Sequence, residues 1–203
     1  IAQCLVGSEM CIRDRYLYKV YASEDFYKEH QAVFEGMEVE LVSDQVMKEI
    51  SDTMTPQGVL ALVRMLEYSL EDLLQQENPL LLVLENLQDP GNLGTILRTG
   101  EGAGINGIIM SRETVDIYNP KVTRSTMGSI FRVPFVYVDD LFEVIKMMKD
   151  RNITTYAAHL NGTDYTRESY TSGTAFLIGN EGNGLTDAVS YTHLRAHETL
   201  SDL

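Results

Sequence analysis

Residues 80–104 read LLLVLENLQDPGNLGTILRTGEGAG, and this stretch decides the fold. Its first five residues, Leu80–Leu84, form an uninterrupted apolar run of the kind found in strands that are buried on both faces of a parallel sheet. A Pro/Gly turn follows, and Leu93–Gly102 then has the residue pattern of a helix that starts near Asn92. A buried strand, a short turn and a helix are the repeating parts of α/β proteins, so this stretch predicts an α/β fold.

The chain downstream repeats this alternation. Four further apolar runs have the length of buried strands, and two segments between them have helical spacing. The predicted strands are Gly107–Met110, Val133–Val138, Thr154–Ala158 and Ala175–Ile178, and the predicted helices are Pro120–Ile130 and Asp139–Lys149. Residues 80–189 are therefore interpreted as one α/β domain with a parallel sheet.

The chain upstream predicts a smaller α/β unit over residues 17–66. Its predicted elements are the strands Leu17–Ala22, Val39–Val42 and Gly58–Arg64, and the helices Glu24–Phe34 and Ser43–Ile50, the second of them capped by its serine. Residues 67–79 are predicted to connect the two units, with a helix over Glu67–Gln76 that ends before Pro79. We expect a domain boundary near residue 77.

Both ends of the chain differ in composition from its middle. Residues 1–16 hold both cysteines, and residues 190–203 hold two of the four histidines. The strings CLVGSEMCIRDR and VSYTHLRAHET resemble translated sequencing-adapter reads that recur at the ends of assembled environmental sequences. We expect that neither segment belongs to the folded protein, so neither is assigned to a domain.

The overall composition narrows the function classes. A chain of 203 residues with 44% hydrophobic residues can bury a substantial core. No stretch has the roughly 18 apolar residues of a membrane span, and we expect a cytoplasmic protein. Cys4 and Cys11 suggest neither a disulfide framework nor a zinc site, so no metal is expected. The net charge of −14 argues against a nucleic-acid substrate, although a local arginine cluster can still bind phosphate.

Three segments have residue types suited to chemistry. In the first, residues 86–94, the end of a strand leads into a turn and a helix, and that edge of a parallel sheet is where ligands bind. Asn92 and Arg98 lie on this helix. A purely structural interpretation makes Asn92 an N-cap and Arg98 a solvated residue.

The second segment, residues 119–129, places a proline at a helix start and groups Lys121, Arg124 and Ser125 within about one turn, which suits phosphate binding. The same cluster also fits a solvated helix face. In the third segment, residues 175–185, a buried strand runs into a glycine-rich bend that contains Gly179 and Glu181. The glycines permit close backbone approach to a ligand, and the carboxylate favours a neutral or cationic one.

The order and spacing of the three segments resemble the three motifs of the SpoU/TrmH family, part of the SPOUT superfamily of RNA 2′-O-ribose methyltransferases. The resemblance spans about residues 80 to 188. Upstream, the stretch Val39–Arg64, which contains DTMTPQGV at residues 52–59, resembles the end of the small RNA-binding domain that commonly precedes the catalytic domain. The resemblance implies a parallel-sheet trefoil-knot fold, S-adenosylmethionine as cofactor, RNA as substrate and a homodimer. It favours 23S ribosomal RNA over transfer RNA.

The resemblance also implies roles for single residues. The implied catalytic residues are Asn92, Arg98, Arg124 and Ser125, the implied cofactor contacts are Gly179, Glu181 and Leu160, and the implied RNA contacts are Lys121, Arg124 and Arg132. Because a guanidinium is effectively never deprotonated in proteins, we expect Arg98 to hold a phosphate and stabilise charge on the 2′-oxygen rather than act as a base. The lone His159 is not expected to be the base either.

The chain departs from the family pattern after residue 189, where the rest of the third motif is not found. The resemblance therefore implies an incomplete cofactor pocket, and we expect this chain to bind cofactor weakly, to lack activity and to aggregate through an exposed sheet edge. Two other classes stay open. One is a non-catalytic RNA-binding protein of the same fold. The other is a nucleotide-dependent oxidoreductase, against which the absence of a G-x-G-x-x-G sequence after the first strand of either unit argues.

Overall fold

A computed structural model describes residues 16–51, 53–167, 170–190 and 195–198. Its small N-terminal unit is a three-stranded sheet of β1 (Leu17–Ser23), β2 (Val39–Val42) and β3 (Val59–Val63), in the order β2-β1-β3. Strand β1 runs parallel to β2 and antiparallel to β3. Helices α1 (Glu24–Glu29) and α2 (Asp44–Ile50) complete the unit, and all three predicted strands are confirmed.

The predicted helix Glu24–Phe34 is wrong beyond Glu29. The backbone leaves the helical region at His30, which has φ −122° and ψ 31°, and a 3-10 turn over Gln31–Phe34 follows. The His30 ring stacks on Phe26 with 4.2 Å between ring centroids, and its Nδ1 lies 3.1 Å from the Phe26 carbonyl oxygen. These contacts hold the chain in a tight turn where the residue pattern alone predicts a continuing helix.

The predicted connecting helix Glu67–Gln76 is shorter than expected, since α3 covers only Leu70–Leu74. Ser69 caps it by accepting a hydrogen bond from the Asp72 backbone N–H at 3.1 Å. The residues before Ser69 follow an extended path because tertiary contacts hold them. One such contact is the Tyr68 ring, which packs edge-on against Phe135 at 5.5 Å.

The second unit is a six-stranded sheet in which every neighbouring pair of strands is parallel. Its strands are β4 (Leu80–Leu84), β5 (Gly107–Ser111), β6 (Phe135–Val138), β7 (Thr154–Asp164), β8 (Thr174–Ile178) and β9 (Arg195–Glu198), and their order is β6-β5-β4-β8-β7-β9. The predicted α/β class and parallel sheet are confirmed.

Helices α4 (Pro90–Ala103), α5 (Pro120–Ser125), α6 (Leu141–Asp150) and α7 (Asp187–Ser190) accompany this sheet. The predicted helix Pro120–Ile130 is wrong after Ser125. Met127 and Gly128 both take left-handed backbone angles, with φ 50° and 87°. A right-handed helix cannot continue through such angles, so the chain turns and enters the short 3-10 helix Ser129–Phe131.

Two apolar clusters cover the two faces of the large sheet. Leu81 and Val83 of β4 lie in one cluster with α3 and α6, whereas Leu84 lies in the other with Leu93 and Leu97 of α4. All five side chains are almost completely buried. The uninterrupted apolar run at β4 thus reflects a strand covered on both sides.

Strand β4 lies between β5 and β8, and the order of the strands reverses there. From β4 the chain continues to β5 and β6 on one side of the sheet, and β8, β7 and β9 lie on the other side. The carboxyl end of β4 is therefore a topological switch point, where open α/β sheets bind ligands. The turns that leave β4, β5 and β8 meet at this edge.

Candidate functional site

The first segment positions the start of α4. Asp89, not Asn92, is the N-cap, because its Oδ1 accepts the Asn92 backbone N–H at 2.8 Å, and the helix begins at Pro90. The Asn92 side chain is thereby left for another partner. Its Nδ2 donates to Glu181 Oε1 of the third segment at 3.2 Å.

Glu181 fastens the third segment to the first. Besides the Asn92 amide, its carboxylate accepts the backbone N–H groups of Gln88 at 3.2 Å and Asp89 at 3.0 Å. Partial burial raises the pKa of Glu181, but the hydrogen bonds to its carboxylate outweigh this effect, so the pKa is lowered overall. The carboxylate also lies at the positive end of the α4 dipole. We call this contact the Glu181 clasp.

The glycine-rich bend folds on itself. Asn180 and Gly184 exchange two backbone hydrogen bonds of 3.0 and 2.8 Å, and Asn180 Oδ1 accepts two backbone N–H groups from inside the bend. A Cβ at Gly179 would lie 2.1 Å from the Gly184 carbonyl carbon. Gly179 is therefore required by contact with its own loop, and not only by close approach of a ligand.

A further hydrogen bond joins the bend to the end of β4. Asn180 Nδ2 donates to the Asn86 carbonyl oxygen at 2.8 Å, and Asn86 takes a left-handed φ of 57°. The Ser111 hydroxyl at the end of β5 holds this residue, since it accepts the Asn86 N–H and donates to Asn86 Oδ1, both at 2.9 Å. The edge is thus a network of hydrogen bonds between the ends of three strands.

Sequence reasoning missed two residues of this network. Glu85 is buried at 6% exposure, and its carboxylate accepts the Thr186 N–H at 2.8 Å and the Thr186 hydroxyl at 2.7 Å. The sequence offers one signal for Glu85, which is an acidic residue directly after a fully apolar strand. A buried carboxylate in that position needs hydrogen-bond donors from elsewhere in the chain. The donors lie 101 residues later, so the sequence does not reveal them.

A cleft of about 340 Å³ opens at this edge, with polar side chains and loop backbone around it. Its lining residues are Asn86, Gln88, Glu113, Asn180, Asn183, Gly184, Leu185 and Thr186. The cleft offers amide groups, backbone groups and one carboxylate but no lysine or arginine. This lining suits a polar ligand that is neutral or positively charged. Leu160 belongs to β7, and its side chain lies outside the described residues.

The second segment packs on the first through Ser125. Its hydroxyl lies 2.8 Å from the Val122 carbonyl oxygen and 3.2 Å from that of Pro90. A Cβ at Gly94 would lie 1.8 Å from Ser125 Oγ, so the glycine lets α4 and α5 touch. Ser125 therefore has a packing role between the two segments.

The arginines of the site differ in how they are paired. Arg98 is exposed, and its guanidinium donates to the Met127 sulfur at 3.1 Å, while Arg124 is exposed on α5. Arg132, by contrast, makes a two-point ion pair with Glu101. The hydrogen bonds from Arg132 lower the pKa of Glu101, and the Ser129 hydroxyl donates to the same carboxylate at 2.6 Å.

Within the described parts of the chain, no cluster of three or more histidine, cysteine, aspartate or glutamate side chains has an arrangement that would hold a metal ion. None of the helices described there is long and apolar enough to cross a membrane.

Two family profiles match the chain. The SpoU rRNA Methylase family matches residues 79–195, and the MRM3-like substrate binding domain matches residues 8–61. The first range begins just before β4 and includes the cleft, the Glu181 clasp and all three segments. The second range includes β1, β2 and the start of β3. The outer ends of both ranges extend into the terminal segments that differ in composition.

Curated relatives and solved structures agree with these profiles. The 23S rRNA (guanosine(2553)-2′-O)-methyltransferase RlmP of Bacillus subtilis is 32% identical over 76% of this chain and 60% of that protein. The putative TrmH family tRNA/rRNA methyltransferase YacO of the same organism is 30% identical over 85% of this chain and 74% of that protein. An AdoMet-bound rRNA methyltransferase from Sinorhizobium meliloti superposes with a TM-score of 0.78 at 27% identity, over 93% of this chain and 74% of that one. The chain thus spans less than two thirds of RlmP.

Proposed function

Because the chain belongs to the SpoU rRNA methylase family, we propose that the reaction of its site is the transfer of a methyl group from S-adenosylmethionine to a ribose 2′-hydroxyl of ribosomal RNA. That this chain itself lacks the activity stays a prediction, which the transfer experiment below tests. The observation that carries the proposal is the convergence of the three segments. The Glu181 clasp joins the third segment to the first, and Ser125 against Gly94 joins the second to the first. A polar cleft and exposed arginines thereby become parts of one hydrogen-bonded structure.

The residues of the cleft fit the proposed cofactor. S-adenosylmethionine is zwitterionic with an additional sulfonium cation, and the lining offers amide side chains, backbone groups and the carboxylate of Glu113. Leu185 adds an apolar contact to the same wall. When bound, the cofactor supplies an electrophilic methyl group with a neutral thioether as leaving group. Asn86, Asn180 and Thr186 are the side chains that we expect to hold it.

In this proposal, Arg98 acts on the RNA. Its guanidinium makes no ion pair among the described residues, so no carboxylate competes with an incoming phosphate for it. Holding the phosphate beside the target ribose orients the 2′-hydroxyl, and the positive charge stabilises the 2′-oxygen as it becomes nucleophilic. The hydroxyl proton leaves to that phosphate or to water, since guanidinium is not a base at neutral pH.

Ribosomal RNA is favoured over transfer RNA as substrate by the relative RlmP, whose name specifies 23S rRNA, and by the N-terminal match to a substrate binding domain. YacO is named for either RNA. From the family resemblance we further propose a trefoil-knotted sheet, a homodimer and a cytoplasmic location. Light scattering that finds a monomer at micromolar concentration would contradict the homodimer.

The decisive experiment is methyl transfer from methyl-labelled S-adenosylmethionine to purified rRNA and, separately, to tRNA. A 2′-O-methyl group blocks alkaline cleavage of the adjacent phosphodiester, so we expect label in alkali-resistant dinucleotides from rRNA. Label confined to tRNA would support the alternative substrate. Alkali-sensitive label would contradict ribose methylation, and RNA binding without any transfer would support a non-catalytic RNA-binding protein.

A further inference from the structure

A second cleft, of about 210 Å³, lies between the two units of the chain. Arg64 and Met65, which follow β3, form one wall, whereas Thr123 of α5 and Phe131 form another. Asp116 and Tyr118 also line it. None of these six residues lines the larger cleft, and none was assigned a role by the sequence motifs. Because Thr123 directly precedes Arg124, the second cleft adjoins the second segment.

The walls of this cleft are already fixed. The Tyr118 hydroxyl accepts the Leu66 N–H at 2.7 Å and donates to the Leu66 carbonyl at 3.2 Å, so it ties the chain after β3 to the large unit. The Arg64 N–H donates to the Tyr16 carbonyl oxygen at 2.7 Å. A site with fixed walls loses little entropy when a ligand binds.

The charge distribution singles out this region. Six of the basic side chains are neutralised by carboxylates, namely Lys19, Lys28, Arg112, Arg132, Lys146 and Arg151. Among the side chains that the structure describes, seven basic ones have no carboxylate partner. Arg64, Arg98, Lys121 and Arg124 lie in or near this cleft and α5, whereas Lys48, Lys149 and Arg167 lie on other elements. Arg64 lines the same cleft as Thr123 of the helix that carries Lys121 and Arg124, and Arg98 contacts Met127 just after that helix.

We propose that this cleft binds one nucleotide of the RNA strand next to the methylated position, with Arg64 neutralising its phosphate and Met65 and Phe131 contacting its base. The inference rests on the proposed function, because it needs RNA as the substrate. It adds a substrate contact from the segment that joins the two units, so the RNA strand passes from Lys121 and Arg124 of the second segment to Arg64.

The lining matches the three chemical parts of a nucleotide. Met65 is 70% exposed, which leaves a large apolar side chain available for a base face, and Phe131 is partly buried beside it. The Asp116 carboxylate accepts the Tyr118 N–H through Oδ1, and its other oxygen faces no described donor. A base amino group can donate to that oxygen. Single-stranded RNA is commonly recognised by such a combination of apolar base contacts, edge hydrogen bonds and phosphate neutralisation.

The test measures the affinity of the chain for a fluorescent single-stranded RNA of about twelve mixed nucleotides by anisotropy over a range of salt concentrations. A phosphate contact to a single strand contributes about 0.7 to the slope of log affinity against log salt. Arg64→Gln should therefore lower the slope by about 0.7 and weaken binding about fivefold near 0.1 M salt. Lys149→Gln removes a charge from an exposed side chain of α6 that has no carboxylate partner among the described residues, and it should change neither quantity.

A second pair of variants tests the base contact. Met65→Glu places a negative charge in the cleft and should weaken RNA binding about tenfold or more. Thr171→Glu adds the same negative charge at an exposed residue of the large unit that lines neither cleft, and it should have little effect. Circular dichroism checks that both variants fold, which their exposure leads us to expect.

The outcomes separate the two proposals. If the chain binds RNA and Arg124→Gln weakens it while Arg64→Gln and Met65→Glu do not, the cleft proposal is overturned and the proposed function stands. Equal weakening by Met65→Glu and Thr171→Glu would also overturn it, since general charge would then explain the effect. No RNA binding by the unaltered chain would overturn both.

Discussion

Arg98 is the residue on which the proposed chemistry depends most directly. Arg98→Lys keeps the positive charge but loses the planar fork that binds two phosphate oxygens at once. We expect the single-turnover methyl-transfer rate to fall by about tenfold or more, because one charge-assisted contact is lost in the transition state. Arg167→Lys, at another exposed arginine, is the matched control. An unchanged rate for Arg98→Lys would rule out the phosphate-holding role.

Glu181 makes a separate prediction at the residue scale. Glu181→Gln removes the negative charge from the start of α4 and places an amide where backbone N–H groups donate. We expect weaker cofactor binding, seen as a higher KM for S-adenosylmethionine, and a stability loss of about 0.3–1 kcal/mol, as is typical for a partly exposed charge near a helix N-terminus. An unchanged KM would show that the clasp does not position the cleft.

The lowered pKa of Glu181 gives this effect a pH dependence. A carboxylate whose pKa is lower in the folded than in the unfolded state stabilises the fold above its unfolded pKa, and this stabilisation is lost as pH falls through the folded pKa. Urea unfolding at several pH values should therefore show a stability difference between wild type and Glu181→Gln at neutral pH that shrinks under acidic conditions. A difference that grows as pH falls would contradict the assigned direction.

At the scale of elements, the contact between α4 and α5 depends on a missing side chain. Gly94→Ala would place a Cβ 1.8 Å from Ser125 Oγ and 2.9 Å from the Ser125 carbonyl carbon, so the helices must separate. We expect a loss of roughly 1–3 kcal/mol, as for overpacked cores, together with reduced activity. Thermal unfolding and methyl transfer measure the two effects.

Gly102 offers the matched control on the same helix. A Cβ at Gly102 meets no atom within 4 Å, and the residue lies inside α4. Gly102→Ala should therefore raise stability by about 0.4–1 kcal/mol, because alanine is the better helix former and restricts the unfolded chain. If Gly94→Ala and Gly102→Ala changed the free energy of unfolding equally, the result would contradict a tight contact between α4 and α5.

At the scale of the whole molecule, the net charge of −14 and the local arginines act in opposite directions on RNA. The unpaired cations near α5 attract phosphate at short range, whereas the acidic remainder of the surface repels the strand, and salt screens this repulsion beyond about one Debye length. We expect a small number of phosphate contacts, with a salt slope of magnitude below about 4 for a single strand. A slope as steep as that of a protein with six or more phosphate contacts would contradict this local mode of binding.

Short stretches of the sequence determined much of the secondary structure of this protein. Apolar runs such as Leu80–Leu84 predicted the strands of both sheets, and Ser43 and Asn119 mark helix starts as their chemistry requires. The sequence reveals these strands and helix starts because each depends on the burial of a few consecutive apolar residues or on a hydrogen bond to a residue two or three positions away. The three segments that form the site were also recognised from their order and spacing.

Tertiary structure decided the ends of two helices and the partners within the site. The helix predicted over Pro120–Ile130 ends at Ser125 because that hydroxyl packs on Gly94 and the backbone then turns. Glu181 binds the start of α4, and Arg132 binds Glu101. Asp89 and Glu181 are 92 residues apart, and Glu101 and Arg132 are 31 residues apart. Sequence periodicity carries no information about contacts over such separations, because they exist only once the sheet brings the strand ends to one edge.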